Sequence, residues 1–293
     1  MVAEPELLGP TSHYFYSQRL KLHYVDWGNA EHPPLLLLHG GRDHCRSWDW
    51  VATELRRTFH VVAPDLRGHG DSAWAIGSTY SMIDYVLDVA ALLKTLERFP
   101  ITIIAHSLGA SVALQYAGIY PDRVERLVAI EGLGPPLGLT KPISPTARML
   151  HWVREMQALA HRHPHRYASL EEAVSRMLEA NPHLTPAQAR HLTVYGVIRA
   201  EDGKYAWKFD NFVRAVSPYL FNLDEAREIW SHITCPVLLV RGSESWASDP
   251  EADGRASAFR QARILNIQGA GHWVHHDRLA EFLRGVREFL RIS

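Results

Sequence analysis

Cysteine is nearly absent from this chain. Cys45 and Cys235 are the two present in 293 residues, and they lie far apart in sequence. That excludes a disulfide scaffold and points to free thiols in a reducing compartment. No run of eighteen apolar residues occurs, so no helical membrane span is expected. Surplus charge is equally scarce. Lys and Arg number 31 against 32 Asp and Glu, a net charge of -1. A nucleic-acid binder would need a clustered basic face, and none is visible. The first residues, Met1-Val2-Ala3-Glu4-Pro5-Glu6, are acidic and carry a proline, unlike a secretory leader, so a cytoplasmic protein is expected. What is present is 46% hydrophobic and 22% charged residues, the balance of a soluble globular protein. A chain this long can bury about 75% of its unfolded surface, so it needs no metal or disulfide staple.

The hydrophobic pattern has two periods. Residues 13–16 and 20–27 alternate around Ser17-Gln18, which predicts an antiparallel hairpin at a sheet edge. Buried-type runs follow at Leu35–His39, His60–Pro64, Ile101–Ala105, Leu127–Ile130, Val237–Val240 and Arg263–Ile267. Helical patterns at Ser47–Arg57, Met82–Arg98, Leu108–Ile119 and Arg278–Arg291 separate most of them. Strands alternating with helices imply parallel βαβ units with helices on both faces, and ligands at the carboxyl ends of the strands. Between Gly134 and about His232 only helical patterns occur, bracketed by Pro135-Pro136 and Cys235-Pro236. Ser144-Pro145 starts one helix, whose Met149, Trp152, Val153, Met156 and Leu159 form an apolar stripe. Ser169 with Glu172, and Thr185 with Gln188, make capping boxes. The expected organisation is a core over 1–134 and 233–293, with a helical lid over 135–232 inserted in it.

The chemistry concentrates at Ala105-His106-Ser107-Leu108-Gly109. A β-branched run precedes it and a helical run follows, so the chain must reverse in about one residue. Small residues on both sides leave room, and the serine at the apex is pushed out of the sheet as a nucleophile. A base must take its proton and an acid must orient that base. Among eighteen histidines, His272 in Gly269-Ala270-Gly271-His272-Trp273 stands just after the last predicted strand and suits the base. Two carboxylates compete as the acid. Glu244 follows the Val237–Val240 run, and Glu131 ends the Leu127–Ile130 run. Glu244 stands slightly ahead. Two backbone N–H groups must hold the developing oxyanion, and Leu108 at a helix N-terminus and Gly41 after the Leu35–Leu38 run are expected to supply them.

Together these residues resemble the α/β-hydrolase fold superfamily. The matching stretches are His39-Gly40-Gly41, Asp65-Leu66-Arg67-Gly68-His69-Gly70-Asp71-Ser72, the turn at Ser107, and Gly271-His272, in the family's order. The resemblance implies an α/β fold with a mostly parallel eight-stranded sheet, a cap, and carboxylesterase-like hydrolysis without a cofactor. Family members with serine at this turn include esterases, lactonases, carbon–carbon bond hydrolases and cofactor-free perhydrolases. Epoxide hydrolases and haloalkane dehalogenases usually carry Asp there, so Ser107 argues against both. Family members often place an Asp three residues after the glycine closing the strand before the acid loop. Here that position is Ser245, with Glu244 one residue early, while other members take the acid where Glu131 stands.

The remaining features read as follows. His106 beside the nucleophile suits a packing or gating residue at the pocket. Asp65 and Arg67 suit a structural turn. Trp246 and Trp273 neighbour the acid and base candidates and suit an apolar pocket wall. His161, His163 and His165 suit a solvated helix end, and no metal is expected. The expected substrate is a small, fairly apolar ester, thioester or lactone, and the protein a monomer or homodimer. The alternatives are a carbon–carbon hydrolase of a diketone-like acid, with Arg42 binding its carboxylate, a cofactor-free perhydrolase, and a non-catalytic small-molecule receptor.

Overall fold

The computed structural model describes residues 9–77, 80–135, 144–215, 217–219, 221–292. The opening stretch Met1–Glu6 and Pro136 therefore lie outside the described residues. Eight strands make one sheet. They are β1 (Thr11–Ser17), β2 (Leu20–Asp26), β3 (Pro34–Leu38), β4 (His60–Pro64), β5 (Ile101–His106), β6 (Val124–Ile130), and, after the cap, β9 (Val237–Gly242) and β10 (Ala262–Ile267). Their order is β1-β2-β4-β3-β5-β6-β9-β10. β1 and β2 pair antiparallel, as does β2 with β4, and all other pairs are parallel. The mostly parallel α/β sheet expected from the sequence is therefore the fold.

The buried strands split their side chains between two cores because successive residues point to opposite faces. Leu36, Leu38, Ile103 and Leu127 join one core, with α2 (Met82–Leu96), α3 (Leu108–Ile119) and α7 (Leu223–Ser231). Leu35, Leu37, Ile104 and Val128 join the other, with α1 (Asp49–Leu55), α8 (Val274–Asp277) and α9 (Leu279–Leu290). Helices on both faces leave the carboxyl ends of the central strands as the free edge, where loops can converge.

The cap holds α4 (Pro145–Ala160), α5 (Leu170–Ala180) and α6 (Pro186–Gly196), with serine or threonine caps where the sequence places them. Three features differ from expectation. A two-stranded hairpin, β7 (Val197–Arg199) with β8 (Tyr205–Trp207), interrupts the helical segment. Three-residue strands are too short to show a two-residue period, so the pattern hides them. Second, α7 lies within 135–232 yet packs Ala226 and Trp230 into the core, where Trp230 stacks on Phe259 at 5.3 Å. Third, Met149 and Val153 of the α4 stripe are exposed. The cap sits on the core through Leu184, Ala189 and Leu192, which meet Trp50 and Trp273. No helix among the described residues is long and apolar enough to cross a membrane.

Candidate active site

Three strand ends meet at one point. Ser107 N–H donates to the Ile130 carbonyl at 2.8 Å, and Glu131 N–H donates to the Val240 carbonyl at 3.0 Å. These bonds fix the turn after β5 against the ends of β6 and β9. Ser107 has φ 51° and ψ -115°, a conformation that few non-glycine residues adopt and that needs its surroundings to hold it. Gly109 makes the turn feasible. A Cβ there would lie 2.5 Å from the His39 carbonyl oxygen and 2.6 Å from that of Leu38. Ala105 is fully buried and fits where a glycine is more usual.

The Ser107 hydroxyl lies 3.1 Å from His272 Nε2 and donates to it. The opposite ring nitrogen, Nδ1, lies 2.5 Å from Glu131 Oε2 and donates to it. These partners set the tautomer, because the carboxylate can only accept. Glu131 also accepts from Gly242 N–H at 2.9 Å and from the Ser245 hydroxyl at 2.5 Å. Its side chain is 1% exposed. Three donors offset the hydration that this buried carboxylate gives up. The sequence preference for Glu244 is thereby reversed. Glu244 is exposed and faces His183 of the cap at 3.6 Å. Glu131 has φ 50°, which turns its side chain under the imidazole, and a residue pattern carries no sign of that turn.

The base loop is held from below. Gly242 lets the end of β9 touch it, since a Cβ there would lie 2.3 Å from the Gly271 carbonyl oxygen. His106 is 1% exposed, and its Nε2–H donates to the His272 carbonyl at 2.9 Å. Burial drives its pKa well below the ordinary value, so it stays a neutral donor. On the other side, His39 positions the loop that carries Gly41. His39 Nδ1–H donates to the Gly40 carbonyl at 2.7 Å, and its Nε2 accepts from Leu66 N–H at 2.9 Å. Burial pushes His39 down to about 3, which keeps that two-way role intact.

The Asp65–Ser72 stretch is a brace, as its sequence suggested. Asp65 accepts from Cys45 N–H at 2.7 Å, Asp71 N–H at 2.9 Å and His23 at 2.7 Å. Burial opposes its charge, yet those bonds, led by His23, hold its pKa well below the carboxylate range. Arg67 grips Asp88 with two bonds of 2.6 Å.

Beside Ser107 and His272 lies a cavity of about 890 Å³ between core and cap. Gly41, Arg42, His106, Ser107, Leu108, Trp246, His272 and Trp273, all named from the sequence, line it. The Leu108 amide opens α3, and a first-turn N–H has no helical partner, so it is available to an oxyanion. Trp246 stands 4.8 Å from the His272 ring.

A family pattern described as alpha/beta hydrolase fold matches residues 33–279. The chain belongs to the α/β-hydrolase fold family. An esterase of Mycobacterium tuberculosis is 28% identical over 271 residues, covering 89% of this chain and 84% of the esterase. An sn-1-specific diacylglycerol lipase of Xenopus laevis is 28% identical over 269 residues, covering 90% of this chain and 81% of the lipase. The thioesterase domain from the curacin biosynthetic pathway has the same fold, with a TM-score of 0.86 at 24% identity, covering 96% of this chain and all 100% of that domain.

In this α/β hydrolase the cavity is also lined by cap residues that the sequence did not single out. Arg162, Arg176, His183, Trp207, Phe209, Asn211 and Arg214 reach the cavity. Arg162 sits inside His-Arg-His-Pro-His-Arg, whose residues 161–166 are all exposed just past the end of α4, as the solvated helix end read from the sequence, and yet it borders the cavity. Its neighbours His163 and His165 line the same cavity.

Proposed function

We propose that this α/β hydrolase cleaves carboxylic esters or thioesters through Ser107, His272 and Glu131. The carrying observation is the continuous hydrogen-bond line from Ser107 Oγ through His272 to Glu131 at 3.1 and 2.5 Å. The hydroxyl attacks the carbonyl carbon while Nε2 takes its proton. Glu131 stabilises the imidazolium that results. The Gly41 and Leu108 amides hold the tetrahedral oxyanion, a pair whose members are typically worth ~10²–10³ in rate each. The imidazolium then protonates the departing alcohol or thiol, and a water deprotonated by His272 releases the acid from Ser107.

The relatives that are named esterase and lipase support this class of reaction. The cap, α4 to α6 with the β7–β8 hairpin, covers the cavity and selects the substrate. The buried free thiols Cys45 and Cys235 suit a reducing, cytoplasmic setting.

A panel of p-nitrophenyl esters, thioesters and lactones, run on wild type and Ser107→Ala, tests this reading. Turnover of at least one class should fall by ~10³ or more in the variant. Turnover that survives Ser107→Ala removes the mechanism.

A further inference from the structure

The charges around the cavity do not match those of the whole chain. Lys and Arg balance Asp and Glu almost evenly overall. Yet among the described residues four arginines, Arg42, Arg162, Arg176 and Arg214, line this one cavity against two carboxylates, Glu244 and Asp277. Both carboxylates already have partners at the cavity wall. Glu244 meets His183 at 3.6 Å, and Asp277 accepts from Gly271 N–H at 2.8 Å.

Three of the arginines share a further property. Arg176 pairs with Glu179 at 3.2 Å, and Arg166, four residues after Arg162, pairs with Asp202 at 3.0 Å. Arg42, Arg162 and Arg214 have no carboxylate partner among the described residues. They come from separate places: the loop after Gly41, the end of α4, and the short turn Asn211–Arg214. The exposed Arg214 has its guanidinium carbon 5.0 Å from the Phe209 ring centroid, within cation–π reach. Its pKa is lowered, first by burial and then by the charges of Arg42 and Arg162, which line the same cavity. Like charges gathered without a counter-ion cost stability that an anion recovers. Trp207, Phe209, Trp246 and Trp273 supply the rest of the wall.

We propose that Arg42, Arg162 and Arg214 form a receptor for an oxyanion group, a carboxylate, phosphate or sulfate, on a substrate whose body is apolar. The proposal rests on the serine-hydrolase reading for the reaction but not for the binding. Guanidinium forks suit planar or tetrahedral oxyanions, and the aromatic wall suits the chain between that group and Ser107.

Two measurements keep binding and reaction apart. In the first, kcat/KM is compared for the p-nitrophenyl monoester of glutarate and the same ester with its far carboxylate methylated. The free acid should be preferred by about tenfold or more, as for a charge-assisted contact of moderate exposure. Raising NaCl from 20 to 500 mM should shrink that ratio, because exposed charges are screened. Arg162→Ala/Arg214→Ala should bring it near one, and Arg214→Lys should keep part of it. Equal rates for the two esters, or a ratio that survives the double variant, overturns the receptor.

In the second, tryptophan fluorescence of Ser107→Ala is titrated with benzyl phosphate, benzyl sulfate, phenylacetate and benzyl alcohol. Saturable responses to the anions but not to the alcohol, lost when Arg162→Ala/Arg214→Ala is added, support the receptor, and their order tells which oxyanion it takes. A response equal for alcohol and anions overturns it. Anion binding without turnover of any ester keeps the receptor and removes the hydrolase reading.

Discussion

Glu131 and Glu244 stand at the ends of neighbouring parallel strands, yet one is buried under His272 and the other points into water. The difference is one backbone angle and three hydrogen bonds, and none of these is written in a residue pattern. Arg255 works at the same scale. It is 2% exposed and donates to the carbonyls of Leu133 at 2.8 Å and Pro135 at 3.2 Å, while also pairing with Asp253 at 2.6 Å. A short bond joins it to Ser248 as well. It therefore ties the segment following Glu131 to the loop after β9. Arg255→Met removes the guanidinium from the Asp253 carboxylate, which keeps the Ser248 hydroxyl and the residue-255 amide as donors, and from those carbonyls. The expected cost is about 3 kcal/mol, the range for removing one partner of a buried pair. Urea unfolding checks it, and a midpoint unchanged from wild type would show that Arg255 braces nothing.

At the scale of elements, most of the core was legible. The runs at His60–Pro64 and Leu108–Ile119 coincide with β4 and α3, and the other core strands differ by a few residues at their ends. These segments are long, uniformly buried or strongly periodic, so local pattern and tertiary burial agree. The Ser47–Arg57 helix instead begins as a 3-10 turn, Cys45–Trp48, before α1. The β7–β8 hairpin was invisible because its strands are three residues each. The site was legible where the signal is local, at the Ser107 turn and the His272 loop. It was illegible where cap residues meet the core, because Arg162 and Arg214 acquire their setting only when α4 and the Asn211–Arg214 turn close over Arg42.

At the scale of the whole molecule, stability should depend on pH through buried histidines. Burial pushes His39 and His276 down to about 3 and His69 to about 4, and drives His106 and His275 well below their ordinary value. In the folded protein they stay neutral, whereas the unfolded chain takes up protons below about pH 6.5. Stability is therefore complete above that pH and declines as pH falls from about 6.5 towards 4. Each such histidine removes about 1 kcal/mol by pH 5.5. Asp43 and Asp88, whose pKa values burial raises, oppose the decline at lower pH. Thermal unfolding from pH 7.5 to 5 should show Tm dropping steeply below pH 6, and a level Tm down to pH 5 would mean those histidines are hydrated. The same buried framework delivers Ser107, His272 and Glu131 to one edge of the sheet. The most direct measurement of that arrangement is the rate at which a fluorophosphonate labels Ser107, followed by peptide mass spectrometry in wild type, Glu131→Gln and Glu244→Gln. Labelling should slow by ~10²–10⁴ in Glu131→Gln, with its circular dichroism unchanged, and by no more than about threefold in Glu244→Gln. Rapid labelling of Glu131→Gln, or a larger loss in Glu244→Gln, would contradict the triad.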